Sequence, residues 1–105
     1  MKKQVLLLSA LLASVLTAPV MAAEDASALA QAKNCLGCHQ VDNKVVGPAY
    51  KDVAAKYAGD AGAVDKLVAK VKTGGAGVWG QIPMPPNNVT DEEARKLVEW
   101  ILSLK

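Results

Sequence analysis

Two cysteines and one histidine fall within five positions, "CLGCH", as Cys35, Cys38 and His39. The chain has no other cysteine and no other histidine. Any chemistry or cross-link that needs thiols or an imidazole must be built at this one place, and the rest of the chain must fold around it.

The N-terminus decides which chemistries are open. Lys2 and Lys3 precede an apolar run, Val5–Leu16, and Pro19 and small residues lead up to Ala22 and Ala23. A basic start, an apolar middle and a small-residue cleavage site read as a secretory signal peptide. The run is too short for a membrane span, which needs roughly 20 apolar residues. The expectation is a cleaved leader over 1–23 and one mature domain over 24–105, starting at Glu24. Outside the cytoplasm a cysteine pair is oxidised or otherwise occupied.

Without Lys2 and Lys3 the 12 basic side chains fall to 10 and match the 10 acidic ones. The mature domain is therefore close to neutral, which leaves no case for nucleic-acid binding. A domain of about 80 residues buries a small core and usually needs a staple. This one has no Phe at all. Something large and apolar is expected to complete its core.

The pattern is helical. Residues 25–37 suggest a first helix, with Asp25 or Ser27 as its cap and Lys33 near its negative end. "AYKDVAAKYAG" suggests a short second helix stopped at Gly59. In the third, Val64, Leu67, Val68 and Val71 repeat at i, i+3, i+4 and i+7, one helix face, and Gly74 or Gly75 ends it. In the last, Thr90 and Glu93 form a capping box, and Ala94, Leu97, Val98, Ile101 and Leu104 line one face. Between these two helices runs a loop rich in Gly, Pro and Asn, "GGAGVWGQIPMPPNNV". A loop this long in so small a domain is functional or disordered, and Trp79, Ile82 and the prolines argue against disorder. Its "TGGAGVWG" part lacks the strand and the Lys-Ser/Thr of a phosphate loop.

Four readings compete for "CLGCH". Structural zinc wants four ligands, and the chain offers three of the usual types. A thioredoxin-like dithiol belongs to a βαβ context, which the pattern lacks. A small disulfide, or inert thiols beside a structural histidine, would leave the core unfilled. The fourth is covalent attachment of heme c through C-x-x-C-H. Cysteines at i and i+3 share one face of a helical turn, so both thiols can reach the vinyl groups along one heme edge. His39 then projects under the ring toward iron.

Heme iron has a second axial position. Once the leader with Met1 and Met21 is removed, Met84 is the only methionine. Pro83, Pro85 and Pro86 stiffen its loop, and Pro85 pushes Met84 toward extended geometry. The alternative is a methionine filling a core gap. A His/Met pair raises the reduction potential of heme iron and leaves no open coordination site, which argues for electron transfer and against an enzyme.

"CLGCHQVDNKVVGPAYKDVAAKYAG", "GVWGQIPMPPNNV" and the final "WILSLK" resemble the small bacterial cytochrome c-551/c-552 (cytochrome c8) family of class I c-type cytochromes, over essentially the whole mature chain. The resemblance implies an all-α class I cytochrome c fold, about four helices around one heme. It implies a monomeric, periplasmic single-electron carrier with no stable membrane association. Its partners would be larger redox proteins, with nitrite reductase, a terminal oxidase or a peroxidase as candidate acceptors.

The resemblance also implies roles for single residues. Pro48 offers its carbonyl to the second ring nitrogen of His39. Trp79 donates its indole N–H to a heme propionate. Asn87 bonds near the Met84 sulfur, with Asn88 as the alternative donor. Lys70 lies where relatives often place a basic residue near a propionate. Ala30 is a departure, because some relatives carry a bulky aromatic there. Lys44, Lys51, Lys56 and Lys72 could ring the exposed heme edge and steer acidic partners.

Overall fold

The computed structural model describes residues 23–105, so the expected leader lies, Ala23 apart, outside the described residues. Among the described residues there are four α-helices, α1 Ser27–Ala32, α2 Tyr50–Lys56, α3 Ala63–Thr73 and α4 Asp91–Leu102. No strand occurs among them. Two isolated antiparallel bridges, His39 with Lys44 and Gly75 with Met84, are the extended pairings.

Helix α4 is the spine, in contact with α1, α2 and α3. Its start follows from its sequence. Thr90 Oγ1 accepts from the Glu93 N–H at 3.1 Å. The Thr90 N–H in turn donates to Glu93 Oε1 at 3.0 Å. Two otherwise orphaned donors are satisfied, while Asp91, Glu92 and Glu93 oppose the positive helix end. The buried face is Ala94, Leu97, Val98, Trp100 and Ile101. Trp100 widens the stripe that periodicity outlines.

The first helix differs from expectation. It does not run to residue 37 but ends at Ala32, and a single 3-10 turn, Cys35–Gly37, follows. Asn34 between them is left-handed, with φ of 62°, a conformation that Asn tolerates better than most side chains. The break frees the C-x-x-C-H turn from the axis of α1. The start differs too. Ala26 occupies the N-cap without a side-chain bond, and Asp25 Oδ1 accepts from the Ser27 N–H at 2.8 Å just ahead of it.

The departure at Ala30 is absorbed by close approach. Ala30 on α1 and Ala94 on α4 are both 0% exposed, so the two helices meet over methyl groups. Exposed ion pairs tie the remaining corners. Lys72 pairs with Asp91 and Arg95 with Asp65, both between α3 and α4, and Lys33 reaches Glu93 at 3.5 Å. Such pairs contribute about 0–1 kcal/mol each. No helix among the described residues is long and apolar enough to cross a membrane.

Candidate functional site

Helices α2, α3 and α4, the 34–48 segment and the 74–89 loop enclose a cleft of about 650 Å³, inside the ~300–1,000 Å³ range of ligand and cofactor sites. One wall carries Cys35, Cys38 and His39. Tyr50 and Val53 of α2, Leu67 and Val71 of α3, and Leu97, Val98 and Ile101 of α4 form an apolar floor. Trp79, Met84 and Asn87 come from the long loop on the other side. A smaller hollow of about 470 Å³ between the end of α2 and the C-terminus holds none of the candidate ligands or cofactor contacts.

The C-x-x-C-H turn is closed by its own backbone. The Cys38 and His39 N–H groups both donate to the Cys35 carbonyl, at 3.2 and 2.9 Å. The Cys38 carbonyl then receives the N–H groups of Val46 and Gly47, at 3.2 and 2.8 Å. The loop 40–49 is thereby folded back under His39. Both cysteine side chains are half-buried. Burial pushes the Cys35 thiol above its ordinary value.

His39 is held from three sides. Its Nδ1 lies 2.8 Å from the Pro48 carbonyl oxygen. A carbonyl only accepts, so Nδ1 carries a proton, and the neutral tautomer that this contact selects has its lone pair on Nε2. Tyr50 stacks on the imidazole, with centroids 5.1 Å apart and planes 20° apart. Trp100 meets Tyr50 edge-on at 5.6 Å. Gly47 closes the third side, because a Cβ there would clash with the ring, 2.8 Å from Nδ1 and 2.9 Å from Nε2. Burial pushes the Tyr50 hydroxyl well above its ordinary value, so the stack works with a neutral phenol.

Across the cleft, Met84 is fixed by a two-way rung. Its N–H donates to the Gly75 carbonyl at 2.8 Å, and its carbonyl accepts from the Gly75 N–H at 3.0 Å. Gly74, with φ of 72°, has no room for a Cβ, which would lie 2.9 Å from the Pro85 carbonyl carbon. The end of α3 and the Met84 strand segment therefore approach as closely as backbones can.

Asn87 lines the cleft, and its amide is committed to the backbone. Nδ2 donates to the Val71 carbonyl at 3.0 Å and to the Pro85 carbonyl at 3.2 Å. Asn88 offers its carbonyl to Lys33 Nζ at 3.3 Å. Trp79 is 43% exposed at the cleft mouth, with Lys56 Nζ 5.2 Å above its ring centroid. Lys44 and Lys70 also line the cleft. Lys51 and Lys72 do not line the cleft and pair with Asp42 and Asp91. Val45, Val46, Val78 and Ile82 stand exposed, Ile82 at 69%.

Sequence reasoning places the three wall residues and Met84 but overlooks Tyr50, Gly47, Gly74 and Gly75 as parts of the site. The signal for the first two was present in "VGPAY", where a glycine and an aromatic flank the proline.

The sequence pattern of the family described as Cytochrome c matches residues 23–105. Cytochrome c-551 of Stutzerimonas stutzeri is 53% identical over 105 residues, covering all of both chains. The crystal structure of wild-type Nitrosomonas europaea cytochrome c552 superposes with a TM-score of 0.73 at 60% identity, over 77% of this chain and 100% of that one. The class 1 cytochrome MtoD of Sideroxydans lithotrophicus superposes at 0.65 with 39% identity, over 75% and 91% of the two chains. A helical shell around an apolar cleft, walled by a C-x-x-C-H turn and matched over its whole length by such relatives, belongs to the cytochrome c family of electron carriers, with the class I fold and one covalently attached heme c with its iron.

Proposed function

We propose that the chain is a periplasmic single-electron carrier whose heme is tethered by Cys35 and Cys38 and ligated by His39 and Met84. The donor set fits the group. The two thiols leave one helical turn, the cleft is lined by apolar side chains, and the protonated Nδ1 of His39 leaves Nε2 as the ligating nitrogen. That last observation carries the reading, because a hydrogen bond from the ring's other nitrogen orients a metal-bound imidazole and raises its basicity.

Bound heme supplies one redox centre that takes up and releases single electrons. The residues of the chain do the rest. Pro48, Tyr50 and Gly47 hold the imidazole plane, and the Gly75–Met84 rung presents the thioether from a fixed backbone. Little rearrangement then accompanies a change of charge at the site. Leu67, Val71, Leu97, Val98 and Ile101 exclude water, which favours the less charged state and supports a raised potential. Trp79 and Lys70, which line the cleft, would serve as partners for a propionate. Asn87 steadies the Met84 loop through Val71 and Pro85; a bond to the Met84 sulfur would require its amide to exchange one of these carbonyls. With His39 and both thiols committed to the heme, the site suits electron transfer rather than substrate chemistry.

The leader over 1–23 would direct export, and heme attachment would follow outside the cytoplasm. The exposed Val45, Val46, Val78 and Ile82, with Lys44, Lys56 and Lys70, suit transient docking to larger redox proteins such as a nitrite reductase, a terminal oxidase or a peroxidase. The chain would act as a monomer. Denaturing electrophoresis with heme staining of periplasmic protein, together with the visible spectrum, tests the proposal. Covalent heme with the far-red band of Met–ferric iron is expected. Missing heme, or ready binding of carbon monoxide by the ferrous protein without that band, would overturn it in favour of a thiol module or an open-site heme protein.

A further inference from the structure

The loop that carries Trp79 has little to hold it. Gly77 and Gly80 flank the residue at φ of 101° and 122°, and the Gly77 N–H closes the turn on the Gly80 carbonyl at 2.8 Å. Trp79 is 43% exposed and stands outside the core cluster. Packing therefore does not fix the indole plane. One contact does reach across from another element. Lys56, the last residue of α2, places its ammonium 5.2 Å above the ring centroid. Lys56 forms no ion pair among the described residues, whereas Lys51 on the same helix pairs with Asp42.

We propose that Lys56 is a positioning residue for Trp79, a cation–π clasp that joins α2 to the long loop across the mouth of the cleft and fixes where the indole N–H points. The role rests on the reading of the cleft as the heme site. A cation over the face of an indole is attracted by the ring quadrupole and leaves the N–H edge free to donate. The N–H then meets an acceptor in the cleft, of which a propionate carboxylate is the expected kind, without first ordering the loop. The charge also lies close to the redox centre, where a cation favours the reduced state.

The test compares the purified holoprotein with Lys56→Met, Lys56→Arg and, as a control on the same helix, Lys51→Met. The exchange rate of the Trp79 indole N–H is read by NMR in the ferrous state, and the reduction potential by titration. Lys56→Met is expected to speed indole exchange about two- to fivefold, the range an exposed cation–π contact supports, and to lower the potential. Lys56→Arg restores both, because guanidinium serves equally well over an indole. Lys51→Met leaves the exchange rate unchanged. Indole exchange at the wild-type rate in Lys56→Met overturns the clasp, even if the potential falls, since Lys56 would then act as a remote charge. A chain shown by mass to lack heme overturns the reading of the cleft, and the clasp with it.

Discussion

The ring of His39 and the peptide of Pro48 are joined by a 2.8 Å hydrogen bond, and the backbone of Gly47 lies against the same ring. One short segment thus sets both the tautomer and the position of the imidazole. A Cβ at residue 47 cannot be accommodated without moving the ring. Gly47→Ala should lower stability by about 1–3 kcal/mol, the usual cost of overpacking, and should change the ligand-field bands of the visible spectrum. Thermal unfolding and the spectrum check both.

Met84 should matter for potential more than for folding, because the Gly75 rung holds its backbone. Met84→Ala should lose the far-red band and lower the reduction potential, since the thioether ligand raises it. Redox titration of the variant measures the shift.

The capping box makes Thr90 a sensitive position on an otherwise exposed helix start. Thr90→Ala should cost about 1 kcal/mol, which for a domain of this size is a fall in Tm of roughly 4–8 °C.

Glu93 gives that helix start a pH dependence. The Thr90 N–H, helped by Lys33, holds its carboxyl below the ordinary value of 4.5. A lowered carboxylate stabilises the folded chain fully above the unfolded value and loses its effect as pH falls through the folded one. Glu93→Gln keeps an acceptor but removes the charge. Its Tm should therefore lie below wild type at neutral pH and converge with it below the folded value of Glu93. Melting curves across the acid range test the sign.

Ala30 and Ala94 leave no room between α1 and α4. Ala30→Leu should destabilise by about 1–3 kcal/mol, measured by denaturant midpoint.

Much of the architecture was legible, and the reasons are local. Thr90 and Glu93 encode the start of α4 within four residues, and the apolar repeat of α3 and α4 states which faces turn inward. The ligand candidates were legible because the chain has so few of them. The break at Asn34 was not, because a left-handed residue leaves no periodic trace. Nor was the stack of Tyr50 on His39, which depends on how the loop 40–49 folds back through the Cys38 carbonyl. The exposure of Trp79 at the cleft mouth was not legible either, since it follows from how the glycines around it carry the residue outward. Asn87 shows the same limit. Its amide finds Val71 and Pro85 only once α3 and the Met84 loop have met.

The rung between Gly75 and Met84 separates two events that are coupled in a looser loop. Sulfur bonds to iron weakly, and a side chain with three rotatable bonds can swing away while its peptide stays pinned on both sides. With Met84 as the proposed sixth ligand, its loss would then be a quick, reversible rotation inside an intact shell, with the thioether waiting at the same address to rebind.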